Sequence, residues 1–252
     1  MGATANIVRN ALRRKNLLVI TDKIVSRLFD ARSGSPEEVR KWCEHRREDL
    51  ASFANEIDPG LWSEAREFAA HLEAVAREKL SAAHTSFGGG GAIDLLYFLT
   101  RLKKPSTIVE TGVAAGWSSA AFLAAIEKNQ TGMLFSSDFP YFRQDKPDDE
   151  IGILVDQALR KHWQLFKDGD QFNLPRILAR TSKIELFHYD SDKSYRGRRR
   201  AIKIVGRKLA PGAVVIFDDI QDNFHFRDYV NKRKCACRVF SVGGKYVGVI
   251  GV

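Results

Sequence analysis

Two parts of the sequence combine glycines and carboxylates at spacings typical of a ligand site. The first is TIVETGVAAGWSSAA at residues 107–121, where Glu110 comes shortly before the pair Gly112 and Gly116. Glycines at a strand-to-helix turn let a ligand approach the backbone, and the first amides of the helix can receive an anion. The stretch lacks the G-x-G-x-x-G spacing of a dinucleotide fingerprint. The acid favours a ligand with an ammonium and a carboxylate, such as an amino acid tail; a tight turn without a ligand is the alternative.

The second part is a set of aspartates that follow two apolar runs. FHYDSDKSY at residues 187–195 contains Asp190, and VVIFDD ends in Asp218 and Asp219. If both runs are neighbouring strands of a parallel sheet, their carboxyl ends share one edge, and the three carboxylates would repel one another unless a cation lies between them. Ligands that are all oxygen favour Mg²⁺. The pattern therefore predicts a magnesium site at this edge, formed by Asp218 and Asp219 together with an aspartate of the first run, Asp190 or Asp192.

The N-terminal third of the chain has helical patterns only. Residues 5–30 and roughly 36–84 are predicted to be helical, with Ser35 as a capping residue and Pro36 at the first helical position. We expect residues 1–84 to form an N-terminal helical extension. Such helices cannot bury their apolar faces alone, so the extension is expected to dimerise or to close over a substrate.

From residue 85 onward, helix and strand patterns alternate. Alternating units predict an α/β fold, a doubly wound and mostly parallel sheet covered on both faces, in one domain over residues 85–252. Helices are expected near residues 150–162, from Pro175 and over the basic run 195–209. The ending CRVFSVGGKYVGVIGV predicts an antiparallel hairpin. The long connection 139–150 is a candidate lid or substrate wall, with a plain surface loop as the alternative.

Composition restricts the class of protein. No apolar run is long enough to span a membrane, and the three cysteines form neither a disulfide framework nor a zinc pattern, so a cytoplasmic protein is expected. The net charge of +9 includes basic clusters at residues 9–15 and 196–208. Solvated helix faces account for such clusters, and an aromatic-interleaved RNA motif is absent from the sequence, so nucleic-acid binding is the less favoured alternative.

The stretch E-T-G-x-x-x-G-W-S resembles the first motif of class I S-adenosylmethionine (SAM) methyltransferases. It is closest to the metal-dependent O-methyltransferases of the catechol and caffeoyl-CoA kind and is also similar to the macrocin-type sugar methyltransferases. The likeness extends from Ser86 to the end of the chain. It implies a Rossmann-like class I methyltransferase fold with SAM as the cofactor.

The resemblance also assigns cofactor-binding residues by their positions in the motifs. The glycine loop that contains Gly90 matches the loop over the methionine tail, and LFSSD ends in Asp138, which matches the acid that holds the ribose hydroxyls. The stretch DGDQFNLP matches the adenine side. The implied cofactor-binding residues are Gly90, Glu110, Gly112, Gly116, Ser118, Asp138, Asp170, Gln171 and Asp190.

The resemblance assigns a base as well as the metal ligands. Asp190 matches the first metal aspartate, while Asp218 and Asp219 match a later pair that is Asp-Asn in the caffeoyl-CoA type and two acids in the macrocin type. Lys193 falls at the position of the catalytic base, which is lysine in the catechol type and histidine in the macrocin type. A lysine can act as a base only if its pKa falls. Alternatively, Lys193 pairs with a neighbouring aspartate and orders the loop, and His225 faces the acceptor.

The sequence is thus interpreted as a SAM- and Mg²⁺-dependent O-methyltransferase for a hydroxyl of a small molecule, working as a homodimer. A sugar or polyol acceptor suits the two-acid metal pair, and a catechol-like phenol suits the lysine. Two other classes remain as alternatives. A nicotinamide dehydrogenase is disfavoured by the glycine spacing, and a non-enzymatic nucleic-acid-binding protein would use the basic run 196–208.

Overall fold

The computed structural model describes residue 21 and residues 35–81, 83, 89–139 and 150–252. The predicted helix at 5–30, nearly all of the connection 139–150 and most of the loop before Gly89 lie outside these residues. No helix in the described ranges is both long and apolar enough to cross a membrane.

An eight-stranded sheet forms the centre of the described fold. Its order is β1-β7-β8-β6-β5-β2-β3-β4, and only β8 runs antiparallel to its two neighbours, β6 and β7. The α/β class, the mostly parallel sheet and the C-terminal hairpin are confirmed. The strands are β1 Arg47–Glu48, β2 Thr107–Thr111, β3 Met133–Ser137, β4 Trp163–Phe166, β5 Ile184–Tyr189, β6 Leu209–Phe217, β7 Cys237–Val242 and β8 Lys245–Ile250.

Helices flank the sheet and supply two hydrophobic clusters. The helices in the described residues are α1 Pro36–Arg46, α2 Leu50–Ile57, α3 Pro59–Ser81, α4 Ile93–Lys103, α5 Trp117–Asn129, α6 Asp170–Arg180, α7 Tyr195–Val205 and α8 His225–Arg233. Two predictions were wrong. Residues 150–162 contain turns and one 3₁₀ helix, Gln157–His162, and α6 begins at Asp170 with Pro175 inside it.

The N-terminal extension is not entirely helical, contrary to the prediction. The backbone becomes extended at Arg47 and Glu48, which pair with β7 at the edge of the sheet. The break has a local cause, because the side chain of Asp49 accepts a hydrogen bond from the Ser52 amide at 2.7 Å and so starts a new helix, α2. An ion pair of 2.5 Å between Arg238 and Glu48 ties the edge strand to β7.

Residues of the extension share a hydrophobic core with the C-terminal part. Phe53, Trp62 and Leu72 belong to the same buried cluster as α4 and α5. The rings of Phe53 and Phe240 lie 5.1 Å apart, and those of Trp62 and Phe98 lie 5.9 Å apart. The extension therefore packs against the sheet and its helices, and a domain boundary at residue 84 remains a prediction.

Candidate active site

Four connections leave the parallel strands at one rim of the sheet. The registers pair Thr111 with Ser137 and with Tyr189, and they pair Tyr189 with Phe217. The last residues of β2, β3, β5 and β6 are therefore aligned, as expected of the ligand-binding edge of a doubly wound sheet. The residues that directly follow are Gly112, Asp138, Asp190 and Asp218.

The glycine turn is tight because protein backbone packs against it. Gly112 has φ +83°, and a Cβ there would lie 2.7 Å from the carbonyl carbon of Asp190. Gly116 has φ +93°, and its Cβ would lie 2.8 Å from the Cα of Gly152. We expected the glycines to admit a ligand. In the structure, the backbone of neighbouring loops packs closely against both glycines, and Gly112 also lines the cavities described below.

Glu110 lies beneath the turn and not on its open side. Its side chain is fully buried and accepts hydrogen bonds from the hydroxyls of Ser118 at 2.9 Å, Ser136 at 2.6 Å, and Ser119. Burial raises its pKa to about 7, and the serine hydrogen bonds offset part of that rise. Glu110 lines neither cavity below, so the structure argues against direct contact with a cofactor ammonium and shows it holding the start of α5 on the sheet.

A cavity of about 230 Å³ opens on one side of the turn, and Asp138 lies in its wall. Asp138 Oδ2 accepts hydrogen bonds from the amides of Val113 at 3.1 Å and Ala114 at 2.8 Å, and Oδ1 accepts one from Phe139 at 2.6 Å. Burial raises its pKa to about 6, against these hydrogen bonds. A carboxylate offers about four lone-pair sites, so the aspartate can still accept from a ligand hydroxyl.

Asp170 and Gln171 line the same cavity as Asp138, so the sequence-predicted ribose and adenine residues are brought together. Asp170 accepts hydrogen bonds from Ser137 Oγ at 2.6 Å and Ser191 Oγ at 2.5 Å. It therefore joins the end of β3 to the loop after β5.

A second cavity, of about 240 Å³, lies on the other side of the turn. Gly112, Ala114 and Asp190 line both cavities, which makes them two parts of one cleft. Ser118 also lines the second cavity, and Gly90 does not; a Cβ on Gly90 would lie 3.1 Å from the indole of Trp117. The walls combine apolar and charged groups: Ile93, Leu96, Trp117 and Val247 with Asp190, Lys193, Asp218, Asp219 and Lys245.

Two lysines reach the aspartates that were predicted to bind magnesium; Asp190, Asp218 and Asp219 are called the carboxylate cluster below. Lys193 Nζ contacts Asp190 Oδ1 and lies 2.9 Å from Asp219 Oδ2, while Lys245 Nζ lies 3.1 Å from Asp219 Oδ1. Among the described residues, no group of three or more His, Cys, Asp or Glu side chains is placed to hold a metal ion. As arranged, the cluster does not fit Mg²⁺, because ammonium groups occupy oxygens that the ion would need.

The electrostatics of the cluster follow from these contacts. Burial alone would raise the pKa of Asp219, but Lys193 and Lys245 hold it at about 2. Burial and the charge of Asp190 raise the pKa of Asp218 to about 7. Burial would lower the pKa of Lys193, yet Asp190 and Asp219 prevail and raise it. A lysine that is protonated at neutral pH cannot accept a proton, so the predicted base role would need a further cation nearby to lower this pKa.

Arg198 positions the end of β6, and sequence reasoning missed it. Its guanidinium is fully buried, and Nη2 donates to the backbone carbonyls of Asp218 at 3.0 Å and Asp219 at 2.8 Å. These bonds hold a strained segment, because Asp219 has a left-handed φ of +51°. Helical spacing could have revealed the role, since Arg198 lies on the same face of α7 as Ala201 and Ile202, which are buried.

Neither His225, which the sequence offered as an alternative, nor His188, on β5, has the surroundings of a base. His225 lines neither cavity and packs among aromatic rings, 5.1 Å from Tyr195 and 5.6 Å from Phe217. His188 lines the second cavity but is 2% exposed. Burial lowers the pKa of each histidine to about 4, so both are neutral at pH 7.

The segment that carries this cleft matches a protein family. Residues 109–220 match the family model described as "Methyltransferase domain", from β2 to the start of the 3₁₀ helix Ile220–Asp222. The match covers less than half of the chain, so residues 109–220 are similar to a methyltransferase domain. A comparison with curated proteins finds no match.

Several solved structures that are similar in fold to this chain are methyltransferases. One, from Geobacter sulfurreducens, is 22% identical and has a TM-score of 0.52, over 72% of this chain and 87% of that one. An O-methyltransferase from Bacillus cereus in complex with SAH is 13% identical, with a TM-score of 0.52 over 82% and 99% of the two chains. TomG from Streptomyces achromogenes, an O-methyltransferase involved in tomaymycin synthesis, in complex with SAM, is 16% identical, with a TM-score of 0.51 over 74% and 89%.

Proposed function

We propose that this chain is a SAM-dependent O-methyltransferase that acts on a hydroxyl of a small molecule. The observation that carries the proposal is the two-part cleft at the rim of the sheet. One part holds Asp138, Asp170 and Gln171, and the other holds the charged cluster with Lys193 and Asp219. The likeness to O-methyltransferases with bound SAM or SAH supports the assignment.

Each part of the cleft suits a different part of the reactants. Asp138 can accept hydrogen bonds from ribose hydroxyls in the first cavity, and Gln171 would lie beside the adenine of SAM. In the second cavity Trp117, Ile93 and Leu96 offer apolar surface for the body of an acceptor. In the proposed reaction the acceptor oxygen bonds to the methyl carbon of SAM, the carbon–sulfur bond breaks with its electron pair going to sulfur, and the hydroxyl proton is released to water.

The acceptor class rests on the mixed walls of the second cavity. A sugar or polyol would use the charged groups, and a catechol-like phenol would also use the apolar ones. Methylation assays with both classes, each with radiolabelled SAM, distinguish them. The predicted homodimer and the role of the N-terminal helices remain part of this proposal, and the oligomeric state in solution tests the first of them.

Calorimetric titration with S-adenosylhomocysteine (SAH) tests the cofactor. We expect wild-type protein to bind SAH, and Asp138→Asn to bind it about 10- to 100-fold more weakly, since hydrogen bonds to charged groups contribute about 1.5–3 kcal/mol. Asp156→Asn is the matched control, because Asp156 caps the 3₁₀ helix at Gln157 and lines neither cavity.

The absence of SAH binding by the wild-type protein would refute the proposal. Binding of NADH would then favour the dehydrogenase alternative. A salt-dependent shift with generic RNA that SAM does not affect would favour the nucleic-acid-binding alternative.

A further inference from the structure

The carboxylate cluster contains its own cation, supplied by the loop that also supplies Asp190. The ammonium of Lys193 bridges Asp190, on the same loop after β5, and Asp219, on the connection after β6. A single positive charge thus joins carboxylates from the ends of two neighbouring strands. That is the place and the task that the sequence assigned to a divalent metal.

Hydrogen bonds at Lys193 and at the residue that follows it hold the backbone in this place. The side-chain amide of Asn223 donates to the Lys193 carbonyl at 2.7 Å. The next residue, Ser194, caps α7 by accepting a hydrogen bond from the Gly197 amide at 2.9 Å, and its own amide donates to Asp192 at 3.0 Å. The lysine therefore leaves a fixed stretch of backbone, which reduces the conformational entropy lost when its ammonium pairs.

Lys245 completes the charge compensation from a distant part of the chain. It begins β8 directly after the hairpin turn, and its ammonium binds the Asp219 oxygen that lies 3.1 Å away. Each oxygen of Asp219 therefore has an ammonium partner. The side chain of Asp219 is only 10% exposed, and that of Lys193 is 31% exposed against 61% for Lys245, so solvent screens the Lys193 pair less than the Lys245 pair.

A divalent ion that used Asp190 Oδ1 or either oxygen of Asp219 as a ligand would have to displace these lysines. Mg²⁺ binds oxygen ligands at about 2.0–2.1 Å in near-octahedral geometry, which places it at the same oxygens that the ammonium groups contact. An ammonium that stayed there would repel the ion. An ammonium that was displaced would lose its hydrogen bonds to the carboxylates. The contacts of Lys193 and Lys245 thus act against metal binding.

We propose that the ammonium of Lys193 fills the cation position of the carboxylate cluster, so that this methyltransferase site works without a divalent metal. Lys193 has three N–H donors, of which Asp190 and Asp219 take two, so one remains for an acceptor oxygen in the second cavity. The ammonium then favours loss of the hydroxyl proton to water, because its positive charge stabilises the oxyanion that attacks the methyl carbon. The inference rests on the proposed function for this catalytic role, but its test does not use methyl transfer.

Mn²⁺ titration followed by electron paramagnetic resonance tests the proposal on the full chain, with and without SAH. We expect the wild-type protein to show no stoichiometric Mn²⁺ binding, and SAH affinity to be the same with Mg²⁺ and with EDTA. Lys193→Met should bind one Mn²⁺ at least tenfold more tightly than wild type, because Asp190 loses its ammonium partner and Asp219 keeps only that of Lys245. Lys161→Met is the control, since Lys161 pairs with Glu127 at 3.1 Å and lines neither cavity of the cleft.

Two results would overturn the inference: stoichiometric Mn²⁺ binding by wild-type protein, or a folded Lys193→Met variant that binds Mn²⁺ no better than wild type. If Lys193→Met does not fold, Lys193→Gln replaces it in the same comparison with the same two outcomes. Failure of SAH to bind would instead refute the proposed function, and the Mn²⁺ comparison would still decide what fills the cation position.

Discussion

Gly112→Ala tests whether the glycine turn and the loop after β5 need close backbone contact. The added Cβ would lie 2.7 Å from the carbonyl carbon of Asp190, and the residue keeps φ +83°. Gly212→Ala is the matched control, since Gly212 has φ +74° and nothing lies within 4 Å of its Cβ position. The lower entropy of the unfolded chain affects both variants alike and cancels in their difference.

The expected magnitudes separate backbone strain from the clash. A left-handed alanine costs roughly 1–2 kcal/mol, which both variants bear. Forcing extra volume into a packed site costs about 1–3 kcal/mol more, which only Gly112→Ala bears. The free energy of unfolding from urea denaturation should therefore fall further for Gly112→Ala by that second amount. The clash should also displace Asp190, which lines both cavities. The SAH affinity of Gly112→Ala should therefore fall at least tenfold, which corresponds to a loss of about 1.4 kcal/mol in binding free energy.

The reasoning would be refuted if the two variants lost equal stability and Gly112→Ala retained SAH affinity. The turn would then need glycine only for its backbone conformation. The midpoints must be compared together with the urea dependence of unfolding, because a changed slope would signal a changed denatured state.

Three further predictions concern Glu110, Arg198 and Phe53. The pKa of Glu110 is about 7 in the folded protein, above the ordinary 4.5, so the free energy of unfolding of the wild-type protein should fall as pH rises through this range. Glu110→Gln has no carboxyl group to ionise and should avoid this fall, which amounts to as much as about 3 kcal/mol. Urea unfolding of both proteins from pH 5 to 8 measures the difference. Arg198→Met should lower the free energy of unfolding by about 2–4 kcal/mol, because two buried carbonyls lose their donor, and the exposed Arg199→Met should change it little. Phe53→Ala should lower the free energy of unfolding by about 3–5 kcal/mol, and calorimetry should still show a single transition. A second transition that the substitution left unchanged would show that the extension unfolds separately from the rest of the chain.

The sequence by itself determined the alternation of strands and helices around the glycine turn and the hairpin at the C-terminus. Hydrophobic runs, turn residues and caps act over a few neighbours, so the strand at 107–111, the turn at Gly112, the helix after Gly116 and the C-terminal hairpin could all be predicted. Parallel strands share one carboxyl edge, and for that reason the aspartates after β3, β5 and β6 could be expected at one rim.

Only the tertiary structure decided what those side chains contact. Glu110 looked like a ligand group but is buried among three serine hydroxyls, because its strand lies in the middle of the sheet. Lys245 reaches Asp219 because β8 is inserted next to β6, and no local pattern specifies that order. Whether a metal, a base or a bridging ammonium occupies the centre of the carboxylate cluster depends on such long-range contacts. Local periodicity carries no information about these contacts, because they join residues that are far apart in the chain and meet only when the sheet forms.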